Sequence, residues 1–286
     1  MRLDIAAAIE EIARDRHAGA AEILRRAAQI FSLAGESDEM IDVCCALIRA
    51  QPAMAPLANL ASAVAQSTRA EETARWFIEK AELDIRDASL HAAGLIKENS
   101  RVLTHSRSST VLRAFSAAIS DGRKFRVIAT ESRPLFEGRR LASELADRGA
   151  AVTLIADAAA ALFMDQIDFV LVGADRVTPH RLVNKIGTRM IALAATERSV
   201  PVYALADATK FIDFSADEAA RDLNELWTDA PAGVEIANRY FEPVPLNLFT
   251  RIITEEGALE IEEARRRAAS ASLHPLLARS GLKPAD

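Results

Sequence analysis

The chain is poor in cysteine and contains no apolar run long enough to span a membrane. Cys44 and Cys45 are the only two cysteines in 286 residues, and they are adjacent within an apolar segment. Adjacent cysteines fit disulfide geometry badly, so we expect buried, reduced thiols. Met1–Asp4 begins an amphipathic helix and does not have the pattern of a signal peptide. We therefore predict a cytoplasmic protein and exclude both a disulfide-stabilised fold and a membrane-spanning one.

An excess of positive charge is also missing. The net charge is −6, which provides no broad basic surface, so we expect neither nucleic acid nor a membrane as a partner. The five histidines are scattered without metal-ligand spacing, and we predict no metal and no cofactor. With half of its residues hydrophobic and 27% charged, the chain has the composition of a folded globular protein. A small anionic ligand stays compatible with this charge, because local cations decide its binding.

Hydrophobic periodicity changes near residue 100. Before it, helical spacing dominates, as in Ile5, Ile9 and Ile12. After it, short apolar runs alternate with helical segments, which is typical of a parallel α/β sheet. We predict an α/β protein with an all-helical domain over 1–99. Residues 100–286 are predicted to form a Rossmann-like, parallel-sheet domain with a C-terminal helical tail.

The predicted elements of the second domain follow from these runs. The strands are Val102–His105, Phe125–Ala129, Val152–Ile155, Phe169–Val172 and Val200–Leu205. The helices are Thr110–Ser120, Phe136–Arg148, Ala158–Met164, Lys185–Glu197 and, in the tail, Ala258–Ala269.

The most informative stretch runs from Val170 to Thr188. Its apolar strand ends near Asp175, and Asn184, Lys185 and Gly187 are interpreted as the opening of a helix. Free backbone N–H groups at a helix N-terminus, together with an ammonium group, attract phosphate. The segment therefore predicts a carboxylate beside an anion site, which suits a sugar phosphate.

Other polar groups follow the remaining predicted strands, where open parallel sheets collect their ligands. They are Ser106–Thr110, Glu131–Pro134, Asp157, and Asp207 with Lys210. Structural alternatives stay open for each group: capping of a helix by the Ser106–Thr110 loop or by Asp157, an Arg133–Glu131 ion pair, an ordinary buried His105, and an Asp175 pair with Arg176 or Lys185.

Taken together, these loops resemble one superfamily. It comprises the α, β and δ subunits of translation initiation factor 2B, methylthioribose-1-phosphate isomerase and ribose-1,5-bisphosphate isomerase. The resemblance covers about residues 10–257. It lies in Val102–His105 with Ser108, Thr130–Pro134, Gly138–Arg139, Val172–Asp175, Asn184–Thr188, Phe241–Pro245 and Ile253–Gly257, and less specifically in Arg16–Ala20 and Met54–Asn59.

The resemblance implies a sugar phosphate bound between the two domains and a homodimer formed through the α/β domain. The implied substrate-binding residues are Arg16, Gly19, Ala20, His105, Ser108, Arg133, Asn184, Lys185 and Lys210. In the isomerases, an aspartate at the position of Asp175 works with a cysteine that directly follows the Thr-His pair.

This chain departs from the isomerases at that cysteine, because Ser106 follows Thr104-His105. One interpretation is an aldose–ketose isomerase with Asp175 as the base and Ser106 or His105 in place of the thiol. The other is a non-catalytic sensor of sugar phosphates or nucleotides, similar to the initiation factor α subunit. A translation-factor scaffold that needs partner subunits is a third possibility. Asp175 favours the enzyme, since a sensor needs the cations but not that acid.

Overall fold

The N-terminal third of the chain is helical. The computed structural model describes residues 1–15, 18–35, 39–215 and 221–285. Its first five helices are α1 (Leu3–Arg14), α2 (Ala20–Ala34), α3 (Met40–Ala50), α4 (Ala55–Ala65) and α5 (Ala70–Leu95). Their apolar faces bury a common core that includes Ile12, Phe31 and Leu47. Within the described residues no strand precedes residue 101, as the periodicity predicted.

Strands and helices alternate from residue 101 onward. The strands are β1 (Arg101–Thr104), β2 (Arg126–Thr130), β3 (Ala151–Ile155), β4 (Phe169–Gly173), β5 (Arg176–Val177), β6 (Arg181–Lys185), β7 (Val202–Leu205), β8 (Phe214–Ser215), β9 (Phe241–Pro245), β10 (Arg251–Thr254), β11 (Gly257–Leu259) and β12 (Lys283–Pro284). The helices are α6 (Ser109–Ser120), α7 (Glu137–Ala146), α8 (Ala160–Phe163), α9 (Thr188–Glu197) and α10 (Ile261–Ser270).

Seven strands form the main sheet in the order β11-β10-β7-β4-β1-β2-β3. All neighbours are parallel except β11, which is antiparallel to β10. The α/β prediction is therefore confirmed. The chain order reverses between β1 and β4, and in open α/β sheets ligands bind at such a switch point, beyond the carboxyl ends of the strands. The loops that begin at His105 and Ala174 lie there.

Both faces of the sheet are covered. Val170 and Val172 of β4 join one apolar cluster, which α9 and α10 complete. Phe169 and Leu171 point the other way into a second cluster with α5 and α6. This burial of alternate residues explains the nearly continuous apolar run of β4. In the described part of the chain, no helix is both long and apolar enough to cross a bilayer.

The structure corrects three predicted elements. The segment at Lys185 is the end of β6 and not a helix, which begins at Thr188. Strand β6 pairs with β5 and β9, and such distant partners cannot be read from local periodicity. The helix predicted over Ala158–Met164 is a four-residue helix between two 3₁₀ turns. In the tail, β11 takes up the start of the predicted helix, and α10 begins at Ile261.

The C-terminal segment returns to the helical region. Leu273, Leu277 and Leu282 pack in the same apolar cluster as α1–α4, and Ile212 joins them. The end of the chain thus packs against the first hundred residues, although the sequence assigns it to the second domain. The division into domains at residues 99 and 100 stays a prediction.

Candidate functional site

His105 is part of the buried framework under the switch point. Its Nε2 lies 2.7 Å from the Ile186 carbonyl oxygen, and its Nδ1 lies 2.6 Å from the Thr130 hydroxyl. A carbonyl only accepts, so Nε2 carries the proton and Nδ1 accepts from Thr130. Burial lowers the pKa of the imidazole, which favours this neutral form. Both nitrogens are engaged within the protein, and a contact of His105 with the substrate stays a prediction.

Ser106 is held in a left-handed conformation by the neighbouring loop. Its φ is 64°, and its backbone N–H donates to the Ser132 hydroxyl at 2.8 Å. Asp157 fixes that loop in turn, because its carboxylate accepts from the backbone N–H groups of Ser132 and Arg133, each at 2.7 Å. Asp157 therefore supports the Ser106 loop, and no helix cap by its side chain is seen.

The loops after β1 and β4 touch at Ser108 and Gly173. The Ser108 hydroxyl accepts from the Val111 N–H and caps α6, so the capping interpretation of this serine is confirmed. A Cβ placed on Gly173 would lie 2.6 Å from the Ser108 Cβ. Glycine is therefore required where the two loops meet, and the contact brings the Ser106 loop against the segment that carries Asp175.

Asp175 lies just beyond the carboxyl end of β4, where its backbone N–H donates to the Val183 carbonyl at 2.9 Å. Its side chain is half-buried, and protein atoms surround it densely enough for desolvation to raise the pKa of the carboxyl. Lys210, Arg176 and Lys185 oppose that rise. In the described residues its carboxylate forms no ion pair, so the predicted structural pair with Arg176 or Lys185 is not found. A carboxylate with a raised pKa is suited to proton transfer.

Two lysines lie near Asp175, and they differ in whether an acid is paired with them. Lys185 is buried, with its Nζ 2.7 Å from Glu137 Oε1 and 5.1 Å from the centre of the Tyr240 ring. Lys210 follows β7 and is 9% exposed, and among the described residues no acid pairs with it. Lys185 is therefore largely neutralised, whereas the charge of Lys210 is available to a ligand.

The N-terminus of α9 is not the free anion site that the sequence predicted. Glu242 Oε1 accepts from the backbone N–H groups of Gly187 and Arg189, at 2.8 and 2.9 Å. Asn184 is buried and donates to the Thr188 hydroxyl at 3.0 Å. The protein's own carboxylate therefore occupies the helix N-terminus. Glu242 lies opposite Asn184 in the β6–β9 pairing, a contact that only the tertiary structure reveals.

The contacts of the remaining predicted ligands do not test their roles. Arg133 is exposed and stacks 5.0 Å from the Phe136 ring centre, while Glu131 pairs with Arg139 instead, at 2.7 Å. Gly19 is the N-cap of α2, and Ala20 begins the helix. Arg16 lies outside the described residues. The roles of these four in ligand binding stay predictions.

Asn59 of α4 joins the helical region to the site. Its Nδ2 donates to the carbonyl oxygens of Thr209 and Phe211, at 2.8 and 2.9 Å. These carbonyls flank Lys210, so α4 fixes the turn that positions the lysine. The sequence offered only a weak motif here, although an amide within an otherwise apolar helix is a signal for such a contact.

Gly187 is expected to be intolerant of substitution. Its φ is 103°, and an added Cβ would lie 3.1 Å from His105 Nε2. Gly149 (φ 86°) has no atom within 4 Å of such a Cβ, so Gly149→Ala isolates the conformational cost, about 1–2 kcal/mol. Gly187→Ala should lower the free energy of unfolding by more than Gly149→Ala does, because the new Cβ also disturbs His105. Urea unfolding measures both free energies, and equal losses would show that the His105 contact is unimportant.

The part of the chain that contains these features matches the model of one protein family. The family model described as "Initiation factor 2 subunit family" matches residues 3–261, which include every strand-end loop described above. The chain belongs to the initiation factor 2 subunit family. The sequence resemblance to this superfamily is thereby confirmed.

Members of the family with different names are similar to this chain. Ribose 1,5-bisphosphate isomerase of Archaeoglobus fulgidus is 34% identical over an alignment 285 residues long, which covers 91% of this chain and 91% of the relative. Methylthioribose-1-phosphate isomerase of Syntrophotalea carbinolica is 37% identical over an alignment 198 residues long, which covers 61% of this chain and 57% of the relative. The solved Pyrococcus horikoshii translation initiation factor eIF-2B has a TM-score of 0.81 and 32% identity, covering 91% of this chain and 98% of that one. The initiation factor 2 subunit family thus includes relatives named as isomerases and as initiation factors.

Proposed function

We propose that this protein is an aldose–ketose isomerase acting on a pentose 1-phosphate, of the ribose-1,5-bisphosphate or methylthioribose-1-phosphate type. The observation that carries the proposal is Asp175, a carboxylate at the switch point with no ion pair among the described residues and a raised pKa. The similarity to relatives named as isomerases supports it. A protein that only binds sugar phosphates has no need of an unpaired acid among its cations.

The reaction requires one acid and one base on opposite sides of the sugar ring. A proton enters the ring oxygen as its bond to C1 breaks. A hydrogen then moves with its electron pair from C2 to C1, and the 2-hydroxyl proton leaves to a base, which produces the C2 carbonyl. We assign the base to Asp175, whose raised pKa makes it a stronger proton acceptor than an ordinary aspartate.

Ser106 occupies the position of the acid in this scheme. Its hydroxyl ionises far less readily than a thiol, so we expect slow turnover. Neither cysteine can substitute for it. Cys44 and Cys45 are buried in the helical core, and burial raises the pKa of the Cys44 thiol to about 12. His105 is committed to Thr130 and Ile186 and is not assigned as the acid.

The proposal includes a substrate held between the helical region and the sheet, a cytoplasmic location and a homodimer formed through the α/β region. Lys185 and Lys210 are proposed as phosphate contacts, and Arg16, Gly19, Ala20 and Arg133 are proposed as further ligand contacts. Sedimentation equilibrium checks the dimer, since a monomeric mass across micromolar concentrations would contradict it.

A specific observation favours a second candidate function. Ser106 stands where the isomerases have cysteine, as expected of a sensor that keeps the pocket and has lost the reaction. Such a sensor would bind sugar phosphates or nucleotides without changing them.

A panel of pentose and hexose phosphates and nucleotides distinguishes the two functions. Thermal shift identifies the compounds that bind, and proton NMR of those mixtures shows whether a ketose forms. The isomerase account predicts a ketose from at least one pentose 1-phosphate. Binding without ketose formation over prolonged incubation would overturn the isomerase and support the sensor.

A further inference from the structure

Arg176 is a buried cation that the described residues leave without a partner. Its side chain belongs to a residue only 5% exposed, and its Nε has no hydrogen-bond partner. In the described part of the chain its guanidinium forms no ion pair, although Asp175 is near enough to favour its charged form. Buried arginines are normally paired or hydrogen-bonded, because an isolated buried charge is costly. An orphaned guanidinium nitrogen of this kind indicates a ligand-binding role.

Among the groups that act most strongly on Asp175, cations outnumber acids. The cations are Lys210, Arg176 and Lys185, and the acid is Glu137. Glu137 is bonded to Lys185 at 2.7 Å. Within the described residues no acid is bonded to Lys210 or to Arg176. An anion would compensate for these two cations.

The strand pairing places Arg176 on a defined face. Arg176 lies opposite Val183 in the antiparallel β5–β6 pair, and directly opposite residues share a face of a sheet. Lys185 is two residues beyond Val183 on β6, so it lies on that face as well. Arg176 and Lys185 therefore lie on the face that Glu137 of α7 covers, beside Asp175.

We propose that Arg176, together with Lys210, binds a phosphate group of the ligand beside Asp175. A guanidinium binds a phosphate through two parallel N–H donors, whereas Lys210 contributes a point charge. A phosphate monoester carries a charge of about −1.5 to −2 at neutral pH, which suits two cations to which no acid is bonded. The inference rests on the proposed function only in taking the ligand to be a sugar phosphate, and it requires no turnover.

Arg176→Met tests this role through two measurements, the free energy of unfolding and the affinity for phosphate. Loss of an arginine with a purely structural role would lower the first and leave the second unchanged. The change removes a buried, unpaired cation. Without phosphate, the free energy of unfolding in urea should therefore stay equal or rise. Titration calorimetry with inorganic phosphate should show affinity at least about tenfold weaker than wild type, since a charged hydrogen bond contributes roughly 1.5–3 kcal/mol. Arg181→Met, at an exposed arginine on the same hairpin, should leave both quantities unchanged.

Arg176→Lys provides the second variant, because it keeps the charge and removes the two-donor geometry. We expect phosphate affinity between those of wild type and Arg176→Met. Wild-type phosphate affinity in both variants would overturn the proposal, as would Arg176→Met that is less stable without phosphate yet binds it normally. Failure of the isomerase proposal is recognised separately, since phosphate binding through Arg176 can be present in a protein that forms no ketose.

Discussion

Replacing Asp175 with asparagine should reduce ketose formation by about 10²–10⁴-fold, the usual contribution of a general base. The amide keeps the shape of the carboxylate and cannot accept the 2-hydroxyl proton. Sugar-phosphate affinity should change little, because the cations stay in place. Rates from proton NMR and affinities from calorimetry separate the two effects. Asp168→Asn is the matched control, since Asp168 lies at the opposite end of β4 and its carboxylate accepts the Arg101 N–H.

The same substitution should also change the pH dependence of stability. The pKa of Asp175 is raised in the folded protein, so its contribution to stability is present at low pH and is lost as the pH rises through the folded-state pKa. Asp175→Asn removes that loss, and its free energy of unfolding near neutral pH should equal or exceed that of wild type. Urea unfolding of both proteins, at pH values below and above the folded-state pKa of Asp175, measures this difference.

The wild-type rate has a corresponding pH profile. A base must be ionised, so kcat/KM should fall on acidification at a pH above the ordinary aspartate value of 3.8. Brisk wild-type turnover that survives Asp175→Asn would show that the chemistry belongs to other residues. An acid limb at the ordinary aspartate value would contradict the raised pKa.

Replacing Ser106 with cysteine should increase ketose formation by about 10²–10⁴-fold. A thiol has an unperturbed pKa near 8.5, close enough to neutral for proton transfer, whereas a serine hydroxyl is a much weaker acid. The backbone at this position is fixed by the Ser106 N–H bond to Ser132, which does not involve the Ser106 side chain. The new thiol should therefore take the place of the hydroxyl.

Ser120→Cys controls for the introduction of an exposed thiol. Ser120 lies at the far end of α6 and is exposed, and its replacement should leave the rate unchanged. An equal rate in wild type and Ser106→Cys would show that Ser106 is not the acid. If neither forms a ketose while both bind the sugar phosphate, the sensor function is the better account.

Local sequence predicted the parts of the site that depend on one strand and its loop. The apolar run before Asp175 indicated a buried parallel strand, and β4 confirms it. Ser108 was a candidate cap, and it caps α6. In both cases the signal comes from residues adjacent in the chain, where burial and capping leave a local pattern.

The features that sequence reasoning missed depend on distant partners. Glu242 closes the N-terminus of α9 from β9, more than fifty residues away in the chain. The local sequence predicts that Lys185 begins a helix, but the residue lies in β6, which pairs with β5 and β9. The sequence left open an ion pair between Arg176 and Asp175. The proposed role of Arg176 in phosphate binding depends on its burial and its unpartnered Nε, which only the structure gives. Pairings of this kind depend on topology and leave no periodic pattern.

A pentose 1-phosphate labelled with deuterium at C2 provides the most direct test of the central claim. Incubated with the wild-type protein in ordinary water, it should give a ketose that carries the deuterium at C1, which deuterium NMR detects. Over the same incubation nearly all the label should stay at C2 in the Asp175→Asn sample, which binds the sugar but converts it about 10²–10⁴-fold more slowly. A wild-type sample that binds the sugar and keeps all its deuterium at C2, with no ketose formed, would show that the protein is not an isomerase of this sugar.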